Sequence, residues 1–230
     1  WSWYKKRFET NSGLLLPNKI LVNDSIAFKL AIDDGLPKEL LIALGNPNLE
    51  GLIKSKVDLE SVDCVKLRSK YNLNSSKKVI VFISEELNSD FRTEKEDLLG
   101  FDEYEVFKEL IKLVKVNNFQ LVVKSHPVEA KYKYGLPSSN LSYIDNISIQ
   151  DLSILADHII GMASMLLLEL SIFRNDIISF CPNSKLDFIG QKAQTVLSVT
   201  SYSELQEVIM NPCYVSSNFF DTMLGSRHRI

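Results

Sequence analysis

From Lys77 onward, short apolar runs recur about 20 residues apart, at 79–83, 119–123, 141–144, 158–160, 176–180 and 195–199. They are continuous rather than alternating, which is the pattern of strands covered on both faces. Between them the period changes. In 103–117, Val106, Phe107, Leu110, Ile111, Leu113 and Val114 return at three- and four-residue spacing while the lysines fall elsewhere, which predicts an amphipathic helix. Ser148 is placed to cap a helix over 149–156, and Ser201-Tyr-Ser-Glu204 is a capping box opening a helix that runs to Met210. Strand alternating with helix predicts an α/β fold with a parallel, doubly wound, Rossmann-like sheet.

The first fifty residues repeat this logic once: a strand at 19–23, a helix at 25–32 closed by Asp-Asp-Gly35, and a second strand at 40–44. One βαβ unit cannot cover both of its faces, so it either joins the main sheet or ends a second domain. Residues 53–78 are charged, carry one amphipathic stretch at 59–71 and read as a connector. The tail after Asn211 is polar and ends Arg-His-Arg-Ile.

With 45% hydrophobic and 24% charged residues in a chain of 230, disordered and fibrous classes are excluded. A net charge of −3 gives no long-range field to gather nucleic acid, so no nucleic-acid partner is expected. Cys64, Cys181 and Cys213 are odd in number and widely spaced, which argues against a disulfide framework and for a cytoplasmic, reducing setting. The apolar stretch 162–173, broken by Glu169, is too short to cross a bilayer. The opening Trp-Ser-Trp-Tyr-Lys-Lys-Arg lacks both an initiator Met and a signal core, so the natural protein is expected to continue upstream.

Three stretches carry candidate chemistry. In Ala156-Asp-His-Ile-Ile-Gly161-Met-Ala163-Ser164-Met165, a strand feeds a turn of small residues and then a helix, so the N–H groups at Ala163 and Ser164 suit a phosphate. Glu169 lies five residues after Ser164, about 7.5 Å along a helix, a suitable reach from a phosphate to ribose hydroxyls. The alternative is a tight turn shaped by Gly161 and Ser164, with Glu169 as a solvated helix residue. The second stretch, Leu121-Val-Val-Lys124-Ser-His126-Pro127, ends a strand where doubly wound sheets bind ligands. Lys124 and His126 can face a phosphate there, unless His126 merely satisfies backbone groups. Third, Ser84, Glu85 and Glu86, with Asn88 and Asp90 behind them, end the first strand of the main domain and are candidates for base or sugar contacts, or a solvated acidic loop. His158, at the start of an apolar strand, reads as structural. No metal constellation, nucleophile elbow or Walker pattern is apparent.

Taken together, Gly45-Asn46-Pro47, Lys-x-His-Pro and Ala-Asp-x-Ile-Ile-Gly-x-x-Ser with a Glu five residues on resemble the second half of GT-B glycosyltransferases. The likeness runs from Lys19 to about Met210. Within that fold the chain is most similar to bacterial surface-polysaccharide transferases, with UDP-N-acetylglucosamine 2-epimerases and CDP-glycerol glycerophosphotransferases as structural relatives. The resemblance implies that 1–52 end an N-terminal, acceptor-side lobe, 53–76 connect, 77–215 bind a nucleotide sugar and 216–230 form a tail. It implies that His126 matches the HP-motif histidine that contacts the donor phosphate, that Gly161, Ala163, Ser164 and Met165 match the phosphate-binding turn, and that Glu169 matches the ribose-binding glutamate. Lys124 and His126 are then the candidates for offsetting charge on the leaving phosphate. The reaction expected is metal-independent transfer from a nucleotide sugar to a surface glycan, by an enzyme that needs no cofactor. A peripheral position at the inner membrane fits that role. The alternatives are a 2-epimerase-like enzyme, or a non-catalytic module that binds a nucleotide or partner. Gly161-Met-Ala-Ser164 departs from the glycine-pair turn of many relatives, and no residue maps onto an acceptor-activating base.

Overall fold

The computed structural model describes residues 4–56, 62–87, 101–182 and 188–220, with the backbone of 92–93 and 96–97. These fall into two compact units, one of residues up to Ser55 together with the segment from Ser217, the other from Lys56 to Ser216.

In the smaller unit, β1 (Glu9–Thr10) and β2 (Gly13–Leu14) form an antiparallel pair. Strand β3 (Ile20–Val22) pairs in parallel with β4 (Leu41–Ala43) through α1 (Ser25–Asp33). The open alternative is thereby decided, because β3 and β4 form their own sheet and do not extend the main one. Asp24 accepts the Ala27 N–H to start α1, and Gly35, at φ +93°, reverses the chain after it. Ile20, Val22, Ala27, Ala31, Leu36 and Leu41 make the core. Gly45-Asn46-Pro47 opens α2 (Pro47–Lys54): the Asn46 side chain accepts from Asn48 and Leu49, and Pro47 takes the first helical position, where its missing N–H costs nothing.

The larger unit is built on a six-stranded parallel sheet. Its strands are β5 (Val79–Ile83), β8 (Gln120–Lys124), β9 (Leu141–Tyr143), β10 (His158–Gly161), β11 (Ile178–Phe180) and β12 (Leu197–Val199). A short hairpin, β6 (Arg92–Thr93) and β7 (Glu96–Asp97), lies between β5 and β8 in the chain. The spatial order of the sheet is β9-β8-β5-β10-β11-β12. Numbered within the sheet this is 3-2-1-4-5-6, the doubly wound order, with its switch point between β5 and β10. The central strands β5 and β10 are buried at every position, which is why their sequences read as unbroken apolar runs.

The helices are α3 (Cys64–Lys70), α4 (Glu103–Val116), α5 (Ile149–Leu155), α6 (Met165–Leu170), α7 (Ile189–Lys192) and α8 (Tyr202–Met210). Helix α4 buries Val106, Phe107, Leu110 and Val114, with Ile111 and Leu113 half-covered beside them, as its periodicity predicts. Its N-cap is Asp102, which accepts the Glu105 N–H. Ser148 caps α5, and Ser201 accepts the Glu204 N–H at α8. The predicted capping box differs in one contact, because the Glu204 carboxylate accepts from Thr200 rather than from Ser201.

From Val62 on, the expected connector is structured, and residues 59–61 of its amphipathic stretch lie outside the described residues. Helix α3 packs against α5, and Arg68 donates to the Leu155 carbonyl and the Asp157 carboxylate. Arg174 grips the same corner from the other side, donating to the carbonyls of Ser153, Ala156 and Asp157 while paired with Asp176. Asp157 also accepts the Val79 N–H, so it is a structural residue. His158 is buried, and burial lowers its pKa.

Among the described residues no helix is long and apolar enough to cross a membrane. Beneath β11, burial lifts the Cys181 thiol to about 11, leaving about one molecule in a thousand as thiolate at pH 8. Iodoacetamide at pH 8 should therefore alkylate exposed Cys213 at least a hundredfold faster than Cys181, by roughly the ratio that thiolate fraction and access set. Peptide mapping over time checks this, and equal rates would mean that the carboxyl end of β11 opens.

Candidate functional site

The carboxyl ends of β5, β8 and β10 each carry one predicted stretch, and the fold brings them to one edge of one sheet. After β8, Lys124 and His126 line a cavity of about 340 Å³ together with Lys131, Tyr132, Tyr143 and Asp145. The Lys124 ammonium donates to the Ser125 carbonyl at 3.1 Å, and the His126 side chain is exposed. Two lysines and a histidine give this cavity donors for an anion, two tyrosine rings give aromatic surface for a ring, and the carboxylates of Glu129 and Asp145 share the same lining.

The aromatic wall is fixed. The rings of Tyr132 and Tyr143 meet edge to face at 5.1 Å, and the Tyr143 hydroxyl donates to the Gly135 carbonyl at 2.8 Å. Tyr132 has φ +58°, a left-handed conformation that a bulky residue rarely adopts and that surrounding contacts must impose. Here the turn 130–135 imposes it, with Lys133 N–H on the Ala130 carbonyl and Gly135 N–H on that of Tyr132.

At the switch point, the turn after β10 is held from three sides. The Ala163 N–H donates to the Glu85 carboxylate at 2.8 Å, spanning β5 and β10. The Ser179 hydroxyl donates to the Met162 carbonyl at 2.6 Å. Ser164 is the N-cap of α6, accepting from Leu166. Gly161 packs closely, because a Cβ there would lie 3.1 Å from both Ile83 and the Leu167 methyls, which would have to shift by a few tenths of an ångström. An anion does sit on the Ala163 amide, but it is the protein's own carboxylate, and a phosphate reaches that donor only by displacing Glu85. Met165 and Glu169 are half-buried on the six-residue α6.

The acidic loop after β5 divides. Ser84 is buried at 2% exposure, and its hydroxyl donates to Glu129 Oε1 at 2.5 Å. Glu86 faces Lys133 at 3.4 Å. Asn88 and Asp90 lie outside the described residues.

Beneath the cavity lies a buried cluster that the candidate stretches did not include. The Lys133 ammonium donates to Glu103 at 2.8 Å and to Glu129 at 2.9 Å, and the two carboxylate side chains are 1% and 0% exposed. Tyr134 stacks on Phe107 with ring centres 4.4 Å apart, and its hydroxyl lies 2.5 Å from Ser84 Oγ. Burial is the main cause that raises the Tyr134 pKa. A signal for this cluster exists in the sequence: His126-Pro-Val-Glu129 and Glu129-Ala-Lys-Tyr-Lys133 have three- and four-residue spacings that place Glu129 within reach of both neighbours. It is easily missed because the spacings fall in a turn and not on a helix.

No protein-family model and no curated protein matches the sequence. Solved structures do match the fold. S. aureus MnaA, in a co-structure with UDP, superposes with a TM-score of 0.63 at 15% identity over 93% of this chain and 58% of its own. The UDP-GlcNAc 2-epimerase of Methanocaldococcus jannaschii, in complex with UDP-GlcNAc and UDP, gives 0.58 at 13% identity over 92% and 59%. A variant of the wall teichoic acid polymerase TagF gives 0.51 at 15% identity over 96% and 55%. At these identities the likeness establishes the fold, a Rossmann-like sheet of the GT-B type. The chain spans less than two thirds of the length of each of these structures.

Proposed function

We propose that this chain contains the nucleotide-sugar-binding half of a GT-B glycosyltransferase that hands a sugar to a surface glycan. The observation that carries the reading is the cavity at the carboxyl edge of β8, where Lys124 and His126 of the Lys-x-His-Pro stretch stand beside two fixed tyrosine rings. In doubly wound sheets ligands bind outside the carboxyl ends of the strands at the switch point, and β8 lies next to β5, one of the two strands that form it. An ammonium and an imidazole there offset the charge that develops on a departing nucleotide phosphate, an effect strongest where water is excluded. The turn at Gly161, Ala163 and Ser164 joins the site when a phosphate replaces the Glu85 carboxylate on the Ala163 amide, leaving Glu85 to face the sugar and Glu169 the ribose.

Calorimetry with CMP and UDP, in the full-length protein, tests the reading. Lys124→Ala and His126→Ala should each weaken nucleotide binding by roughly 1.5–3 kcal/mol, the value of a hydrogen bond to a charged group. Unchanged affinity in both variants would overturn the assignment of the cavity.

A 2-epimerase-like reaction is the second reading, favoured by the likeness of the M. jannaschii UDP-GlcNAc 2-epimerase. Of the two carboxylates after β5 that such chemistry would recruit, Glu85 holds the Ala163 amide and Glu86 faces Lys133. Incubation with UDP-GlcNAc and no acceptor separates the two readings, because only an epimerase yields a new sugar nucleotide under those conditions.

A further inference from the structure

We propose that Glu129 is a positioning residue, holding the His126–Pro127 loop in its ligand-facing conformation through an ionised carboxylate that accepts on both oxygens. The proposal rests on the functional reading above for its consequence, and on the geometry alone for its cause.

The His126 side chain is exposed, yet its backbone N–H donates to Glu129 Oε2 at 2.8 Å. On the other oxygen, Glu129 Oε1 accepts from the Ser84 hydroxyl at 2.5 Å and from the Lys133 ammonium at 2.9 Å. An amide N–H and an ammonium can only donate, so each oxygen faces a group that supplies a proton. With the Ser84 proton directed to Glu129, the neighbouring Tyr134 hydroxyl donates to Ser84. A carboxylate satisfies this arrangement at every contact. A glutamine of the same shape must turn its NH₂ toward one set of donors, which leaves either the His126 amide or the Lys133 ammonium facing another donor.

The side chain is 0% exposed, and water is poorly placed to repair such a mismatch. Lys133 fixes the charge of Glu129 from within, and Glu103 at the start of α4 holds Lys133 in turn. The chain Glu103–Lys133–Glu129–His126 therefore runs from the rigid base of α4 to the loop that presents the imidazole. Its branch through Ser84 reaches the end of β5, the neighbour of β8 in the sheet.

Amide hydrogen exchange read residue by residue, with CMP or UDP titrations, tests this in Glu129→Gln and Glu103→Gln. Both variants remove one buried carboxylate charge from the same cluster, and both should lose stability. Only Glu129→Gln should speed exchange of the His126 amide relative to the amides of β8, by about tenfold, the size a lost charge-assisted hydrogen bond gives. It should also weaken nucleotide binding by a similar factor. Equal acceleration in the two variants, or none in Glu129→Gln, overturns the proposal, since a purely structural role predicts no difference between them. Should Glu129→Gln fail to fold, the wild type decides: its His126 amide must exchange well below the random-coil rate, and free exchange overturns the proposal. The functional reading fails separately. If His126→Ala leaves CMP and UDP affinity unchanged, the cavity is not the donor site, while the exchange data still decide what Glu129 does.

Discussion

Replacing Lys133 by Met lowers the unfolding free energy by about 3–5 kcal/mol, the range seen when one partner of a buried ion pair is removed. The Lys133 side chain is 8% exposed, and it compensates Glu103 and Glu129, which are 1% and 0% exposed. Glu86 adds a third, more accessible carboxylate at 3.4 Å. Without the ammonium, two buried charges remain side by side. Urea titration at neutral pH measures the loss, and a change below about 1 kcal/mol, the ordinary value of a surface pair, would show that water reaches the carboxylates.

The same pair makes a prediction in alkali. Desolvation by itself lowers the Lys133 pKa, but hydrogen bonds and charge from Glu103 and Glu129 outweigh it, and the net shift is upward. In the interval between the unfolded and folded pKa values the native state binds more protons, so stability falls as pH rises. The contribution is complete below about 10.4, the unfolded value, and drains away above it. Wild-type protein should show this alkaline loss, and Lys133→Met should show a smaller one, because buried Tyr134 and Cys181, with pKa values also raised, contribute a loss in the same direction.

Arg174→Ala is expected to have an effect of similar size, roughly 3–5 kcal/mol, because it strips several buried acceptors at once. The guanidinium pairs with Asp176 through two nitrogens and donates to the carbonyls of Ser153, Ala156 and Asp157. Those carbonyls lie where α5 ends and β10 begins, and the last carbonyls of a helix have no partner within it. Asp176, with a side chain 14% exposed, would be left without its cation. Arg174→Lys should recover only part of the loss, because a point charge cannot reproduce the planar fork. Denaturant midpoints for the three proteins decide it, and full recovery by Lys would show that charge alone matters at this corner.

Much of the fold is legible in the residues. The apolar runs at 79–83 and 158–160 are strands because nothing polar interrupts them, and their continuity already says that both faces are covered. The periodicity of 103–117 places α4 to within a residue, and Ser148 and Ser201 mark where α5 and α8 begin. Asp176 sits in an apolar run but lies outside β11 and pairs with Arg174 two residues before it. Local pattern does not register a partner reached across a bend.

The site was legible in part. Lys124 and His126 could be named from a strand that ends in Lys-x-His-Pro, and the fold gives them a cavity. The phosphate-shaped turn could also be named, but not the Glu85 carboxylate seated on its amide from 78 positions away in the chain. Ser84 reads as a polar loop residue, whereas the structure buries it.

The order of hydrophobic and polar residues by itself determined the strand-helix alternation, the helix caps and hence the doubly wound sheet, since each depends on neighbours within a few positions. Only the tertiary structure decided that the N-terminal βαβ pair keeps its own sheet, that Glu129, Lys133 and Glu103 meet beneath the cavity, and that Glu85 bridges the switch point. Burial and hydrogen-bond pairing are properties of three-dimensional neighbours, and the strand order that sets those neighbours brings together residues as far apart in the chain as Glu85 and Ala163, 78 positions from each other.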